Sequence, residues 1–296
     1  MKDNEISVNG FISVIKPKGW TSNQVLSKIK WLFKTKKAGH GGTLDPFATG
    51  VIPVFLGEAT KFSSRILDAD KEYIANIKLG YESTTGDLEG DVNKDDSFNY
   101  EELPANIDNL IKNQFLGKQT QIPPKYSALK YKGKPYYKYA RAGIEIPIKS
   151  REIEIKEIVV ISQIHNQLMV QVSCSKGTYI RTLGEDIAKI LGTKGYLTDL
   201  KRIRVGDIHE RDSFLLDDIE NKELDQRYQL LRPIEKYIDL PEIILDQEQT
   251  LKILQGQFVE INRDSGDYIL RGSDNTFIGL GILIEDELRP LRLIKN

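Results

Sequence analysis

The sequence predicts an α+β protein with one large domain and a small C-terminal β-barrel. Three observations predict it. A chain of 296 residues, 40% hydrophobic and 29% charged, is long enough for a sizeable core plus a second small unit. Segments with helical spacing of apolar residues are interspersed with segments that alternate with period two. Near the C-terminus, YILRGSDNTFIGLGILIEDELRPLRLI breaks into short strands separated by turn signals, the pattern of a small barrel.

The elements follow in order. FISVI (11–15) reads as a short buried strand, and KPKGW turns the chain at Pro17 and Gly19. Thr21 or Ser22 caps a helix whose apolar face is Val25, Leu26, Ile29, Leu32 and Phe33. Residues 34–50 are a loop, because the residue before Pro46 is pushed away from helix. VIPVFL (51–56) is the next apolar segment and leads into a short helix at 58–67. KEYIANIKLG (71–80) alternates, with Tyr73, Ala75, Ile77 and Leu79 on one face of a strand. An acidic Asp/Gly-rich stretch (83–97) and a short amphipathic helix (106–116) follow. Residues 117–151 read as a long polar excursion from the core. Strands are predicted at 152–162, 166–174 and 200–206, with a helix at 182–191 between the last two. Residues 212–237 are acidic and read as helical. A helix follows Pro241, on Leu251, Ile253 and Leu254, before the barrel strands.

Cys174 is the single cysteine, so no intrachain disulfide can form, and no Cys/His set has zinc-finger spacing. No run approaches the roughly 18–20 apolar residues of a membrane helix. MKDNEISVNG has neither the apolar stretch of a signal peptide nor the Arg/Ser-rich character of a transit peptide. The expectation is a cytoplasmic protein without a membrane partner.

The net charge of −1 hides a segregated pattern. Residues 112–151 hold ten Lys or Arg and one acid, a net of +9, whereas 82–108 and 207–248 each carry a net of −8. Such segregation fits a local electrostatic footprint, and chance clustering on exposed faces fits it as well.

Three segments have the residue types of chemistry. In GHGGTLDPFATG (39–50), glycines around Asp45 allow backbone to approach a ligand closely. Asp-Pro is equally a common turn initiator, and the stretch matches neither a phosphate loop nor a dinucleotide fingerprint. PPKYSALKYKGKPYYKYARAG (123–143) interleaves lysines, which neutralise phosphates, with tyrosines, which stack on unpaired bases. Its tyrosine density argues against a disordered loop. In CSKGTYIRTLGEDIAK (174–189), Arg181 is either a surface ion pair or a guanidinium aimed at a carboxylate or phosphate.

Together these segments resemble the TruB family of tRNA pseudouridine synthases. GHGGTLDPFATGVIPVFLGEATKF (39–62) is similar to its catalytic motif, and KEYIANIKLG to the strand that carries its tyrosine. IPPKYSALKYKGKPYYKYARAG (122–143) resembles its RNA-gripping insertion, and CSKGTYIRTLGEDI with LTDLKRIRVG completes the core pattern. The C-terminal stretch is similar to a PUA RNA-binding domain. The resemblance spans nearly the whole chain in the family's order. Thr43 stands where the family has a smaller residue, and the acidic stretch matches no motif.

The resemblance implies a pseudouridine synthase core at 1–237, with a mixed, mainly antiparallel sheet, flanking helices and an insertion at about 117–151. It implies a PUA-like domain at 238–296. Asp45 is then the catalytic carboxylate acting on the ribose, held ionised by Arg181. Tyr73 stacks on the flipped uracil and assists proton transfer. Tyr179 and Leu200 contact the target nucleotide, and His40 supports the space that the flipped base opens. Lys125, Lys130, Lys132, Lys134 and Arg141 bind RNA. His165 and His209 receive no role. The implied substrate is the T-stem-loop of tRNA, modified at uridine 55 without metal, cofactor or guide RNA, by a monomer. A non-catalytic RNA-binding or tRNA-folding protein is the alternative. If the acidic segments at 82–108 and 207–248 are bystanders, they face away from the cleft of Asp45.

Overall fold

The computed structural model describes residues 8–294, so most of the N-terminal stretch read for targeting signals lies outside the described residues. Seven strands form the main sheet: β1 (Gly10–Lys16), β2 (Thr49–Leu56), β3 (Lys71–Leu79), β4 (Gly117–Gln121), β5 (Arg151–Ile164), β6 (Gln167–Cys174) and β7 (Gly195–Val205). Their order is β1-β2-β7-β3-β6-β5-β4, and only the β2–β7 pair is parallel. Residues Ala38–His40 extend the sheet beside β2, and Ile208–His209 beside β7. The mixed, mainly antiparallel sheet matches the expectation.

Local chemistry explains the elements. Thr21 starts helix α1 (Ser22–Leu32) with a capping box completed by Gln24, a device worth about 1 kcal/mol. Val25, Ile29, Leu32 and Phe33 are fully buried against Ile12, Val14, Ile52 and Val54. Each such burial contributes about 1.5–3 kcal/mol. The other faces of β1 and β2 are also covered, by Phe62 and Ile66 over Phe11, Val51 and Phe55. Burial on both faces is why VIPVFL reads as a continuous apolar run. The segment after β2 is a 3-10 turn, Gly57–Phe62, and only Ser63–Leu67 is α-helix.

β3 keeps strict alternation, and its buried face carries Tyr73, Ala75, Ile77 and Leu79. Helices α2 (Ile107–Phe115) and α3 (Ile180–Ile190) cover that face through Ile111, Phe115, Leu183 and Ile187.

Several expectations are corrected. Residues 117–121 are an edge strand hydrogen-bonded to β5, so the excursion begins at 122. It is ordered around a hairpin, Lys130–Tyr131 against Lys134–Pro135, whose loop residues Lys132 and Gly133 both have positive φ, as a type I′ turn requires. Residues 212–237 form two five-residue helices and one 3-10 turn, Ile234–Tyr237, because Leu216, Ile219 and Ile234 are the only buried residues in those pieces. After Pro241 the chain forms a strand, β8 (Glu242–Ile244), before helix α4 (Gln247–Leu254). On α4 only Ile253 is buried, while Leu251 and Leu254 are exposed.

The C-terminal strands β9 (Val259–Glu260), β10 (Gly266–Arg271), β11 (Phe277–Ile284) and β12 (Glu287–Leu293) join β8 in the order β8-β10-β11-β12-β9. No pairing joins β8 to β9 among the described residues, so the five strands form a curled half-barrel, consistent with the expected PUA-like domain. It packs on the main domain through Ile269 and Leu280, a Phe62–Phe277 ring contact at 5.3 Å and a Lys61 hydrogen bond to the Leu293 carbonyl at 2.8 Å.

Candidate active site

The segment before β2 returns over the buried face of the sheet and presents Asp45. The Ala48 N–H donates to the Asp45 carbonyl at 3.1 Å, so Asp45-Pro46-Phe47-Ala48 is a turn with proline second, the position that its fixed φ suits. The turn reading is therefore realised. Leu44 and Phe47 bury their side chains on either side and anchor the turn in the core. The Ser22 hydroxyl accepts from the Leu44 N–H at 2.9 Å and donates to its carbonyl at 3.1 Å. Gly50 has φ +109, and a Cβ there would lie 2.1 Å from the Arg202 carbonyl oxygen; only glycine lets the loop meet β7 this closely.

Arg181, on the first turn of α3, contacts Asp45 with two nitrogens, Nε to Oδ2 at 2.9 Å and Nη2 to Oδ1 at 3.3 Å. It also donates to the carbonyls of Thr85 at 3.0 Å and Tyr126 at 2.8 Å, and faces Asp87 Oδ2 at 3.3 Å. The Arg181 side chain is only 5% exposed, whereas Asp45 keeps 33% and so still faces solvent. Burial nevertheless raises the Asp45 carboxyl above its ordinary value; Arg181 opposes this rise and Asp87 adds to it. Arg181 thus favours the ionised carboxylate, as expected, but does not outweigh desolvation.

Beneath the turn, Tyr73 and Leu200 lie on one face of neighbouring strands, with Tyr73 opposite Arg202 and Ala75 opposite Leu200. Burial holds the Tyr73 phenol above its usual range, against the pull of Arg202. His40 is half-buried, and its Nδ1 has no hydrogen-bond partner among the described residues. Burial and the Arg202 charge hold the imidazole below 6.5, which keeps it neutral at pH 7. Tyr179 sits at the start of α3, its phenol raised by burial and within electrostatic reach of Asp45. Asp45 and Arg181 are in contact, Tyr179 lies within electrostatic reach of Asp45, and Tyr73 and Leu200 pack in one cluster with Leu44 and Phe47, whereas His40 is tied to this group through the charge of Arg202. Lys125, Lys130, Lys132, Lys134 and Arg141 are exposed on the excursion. Its tyrosines also pack on one another: Tyr131 meets Tyr139 edge-on at 5.9 Å, and Tyr136 is buried.

Sequence reasoning missed four residues. Lys16 is fully buried and donates to the carbonyls of Pro17, Trp20 and Pro46 at 3.0, 2.6 and 3.1 Å, fastening the strand end to the turn of Asp45. Burial lowers its amine to about 8, although Asp45 and Glu89 pull the other way. Arg202 is 1% exposed and bonds the carbonyls of Val51 at 2.8 Å and Gly42 at 3.1 Å. Asp87 is buried against Arg181, and Glu89 stands close enough for Asp87 and Asp45 to raise its carboxyl further after burial. The acidic segment at 82–108 therefore does not face away from the cleft; Asp87 and Glu89 line it. Their Gly-rich turn gave no motif, and a lysine ending an otherwise buried strand was the one local sign of Lys16.

Comparison with known proteins agrees along the whole chain. Residues 30–180 match the family model described as TruB family pseudouridylate synthase (N terminal domain). Residues 181–248 match the tRNA pseudouridylate synthase B C-terminal domain, and 241–294 match the C-terminal domain of pseudouridine synthase II TruB. A tRNA pseudouridine synthase B of Psychrobacter cryohalolentis is 48% identical over 87% of this chain and 73% of its own. That of Chromobacterium violaceum is 41% identical over 100% of this chain and 97% of its own. Among solved structures, a Cbf5-Nop10-Gar1 complex contains a chain with a TM-score of 0.71 at 25% identity, covering 97% of this chain and 84% of that one. An H/ACA RNP bound to a substrate RNA gives 0.72 at 21% identity, over 97% of this chain and 85% of that one, a likeness of fold. With the family models covering the chain from residue 30 and the carboxylate–guanidinium pair at its centre, this protein belongs to the TruB family of pseudouridine synthases.

Proposed function

We propose that this chain isomerises uridine 55 in the T-loop of tRNA to pseudouridine, with Asp45 as the catalytic carboxylate. The observation that carries the reading is the Asp45–Arg181 pair: an acid kept oriented by two nitrogens, yet still facing solvent on one side. The curated names of relatives at 41–48% identity support tRNA as the substrate.

A base stacked in an RNA loop is out of reach until it is flipped, which costs on the order of a few kcal/mol. Phosphate contacts from Lys125, Lys130, Lys132, Lys134 and Arg141 offset that cost. The flipped uracil lies over Tyr73, with Leu200 and Tyr179 at its edges and His40 filling the gap it leaves. Asp45 then acts on the ribose, the C1′–N1 bond breaks and leaves its electron pair on N1, the base turns, C5 joins C1′, the C5 proton departs, and the freed N1 takes up a proton. The raised phenol of Tyr73 makes it a neutral stacking and hydrogen-donating partner at pH 7. Atoms balance without an oxidant, reductant or co-substrate, since reactant and product are isomers. The enzyme works as a monomer on tRNA alone, without a guide RNA, in the cytoplasm.

The test uses purified chain and unmodified tRNA transcript, with chemical mapping of pseudouridine. Product from wild type but none from Asp45→Asn is expected. RNA binding without product from either protein would leave a non-catalytic RNA-binding protein instead.

A further inference from the structure

The two roots of the excursion at 122–150 converge on one residue of the site, Tyr179. β4 leads out through Gln121, β5 returns at Arg151, and these two are cross-strand partners. Gln121 is buried, and its amide closes a ring with the Tyr179 backbone: Nε2 donates to the carbonyl at 3.0 Å and Oε1 accepts the N–H at 2.8 Å. The Arg151 guanidinium lies over the Tyr179 ring at 5.8 Å and donates to the Gly177 carbonyl at 3.4 Å. Gly177 has φ +80, the left-handed backbone that favours glycine in the turn before Tyr179. Ser127 is buried on the outgoing root; its hydroxyl reaches toward the Tyr179 phenol without the alignment of a full hydrogen bond. The next carbonyl back, Tyr126, accepts from the same Arg181 nitrogen that contacts Asp45.

These contacts differ in kind from those of a tether. An RNA-gripping loop needs exposed cations on its far side, and the excursion has them. A neck serving only to hold that loop needs no buried amide spent on a site residue's backbone. Deleting that amide leaves the Tyr179 N–H unpaired at the point where α3 begins, while its carbonyl keeps only the Leu183 N–H at 3.1 Å, and Tyr179 makes no side-chain cap of its own.

We propose that Gln121, Ser127 and Arg151 are positioning residues for the pseudouridine synthase reaction, fixing Tyr179 at the target nucleotide and, through the Tyr126 carbonyl, Arg181 at Asp45. The neck of the excursion is thus part of the site's frame rather than of the RNA grip. The inference rests on the function proposed above and assigns residues that reading does not use.

The experiment compares Gln121→Ala and Arg151→Gln with wild type in single turnover at saturating tRNA, with separate measurement of tRNA Kd. A displaced site group should slow the chemical step by about tenfold or more, with Kd within about twofold. Gln121→Glu keeps the acceptor for the Tyr179 N–H and should restore part of the rate. In a Tyr179→Ala background the effect of either substitution should shrink below about threefold, because residues acting through one group are not additive. An unchanged rate, a raised Kd that accounts for the loss, or the same loss with and without Tyr179 would overturn the proposal. Should Gln121→Ala fail to fold, the half-buried Arg151→Gln decides by the same cycle. Absence of product from wild type would instead remove the functional reading beneath it.

Discussion

Arg181 divides one guanidinium between two carboxylates: Nε and Nη2 meet Asp45 at 2.9 and 3.3 Å, and Nη1 faces the buried Asp87 at 3.3 Å. Asp87 is held in its turn by the Thr85 hydroxyl at 2.6 Å and the Glu89 N–H at 2.9 Å. The cation therefore orients Asp45 without fully offsetting the desolvation of its charge.

Replacing Asp45 by Asn should abolish product while leaving the fold intact. Because burial raises the Asp45 pKa in the folded chain, the folded state prefers the protonated form. Its ionisation weakens the fold as pH rises through the folded value, and this loss is absent below the unfolded value. The amide escapes it, so the melting temperature of Asp45→Asn at pH 7 should equal or exceed that of wild type. A clear drop would show that the carboxylate is needed for folding.

The pH profile gives a second test. If Asp45 acts as the ionised carboxylate of the proposed function, the single-turnover rate should fall as pH drops, with a midpoint above the ordinary aspartate value of 3.8. Asp87→Asn removes one raising influence and leaves Arg181 to Asp45 alone. Its midpoint should move to lower pH, and a shift upward would contradict the shared-cation arrangement.

Removing the cation should harm stability more than removing the acid. Arg181→Met leaves Asp87 buried without its counter-charge and the Thr85 and Tyr126 carbonyls without a donor. Breaking a buried pair from one side costs about 3–5 kcal/mol, measurable by urea unfolding. Arg181→Met combined with Asp87→Leu should recover part of that loss while staying inactive.

The excursion should act on affinity. Lys130, Lys132 and Lys134 are exposed around the hairpin and pair with no carboxylate among the described residues. Changing all three to Ala should weaken tRNA binding and flatten the plot of log K against log salt by about 2. An unchanged slope would take these lysines out of the RNA contact.

Much of this was legible in the chain itself. The capping box at Thr21, the alternation in Tyr73, Ala75, Ile77 and Leu79, and the turn at Asp45-Pro46 depend on neighbours a few residues apart, and local periodicity carries them. The resemblance of ordered motifs marked Asp45, Tyr73, Arg181, Tyr179, Leu200 and His40 as companions. Segments with weak periodicity were read as too long: 212–237 carries charge but few buried residues, so tertiary packing cut its helix into two five-residue pieces. What the chain could not reveal was the meeting of distant parts. Lys16 caps a carbonyl thirty positions away, Arg202 grips Gly42 across the sheet, and Asp87 comes from an acidic stretch that looked like solvated surface. A buried charge is tolerated only where the fold supplies its partners, and those partners are set by strand order rather than by sequence spacing. The sequence by itself marked the candidate residues for the chemistry; the tertiary structure decided which charges surround them, and so how strongly each is held.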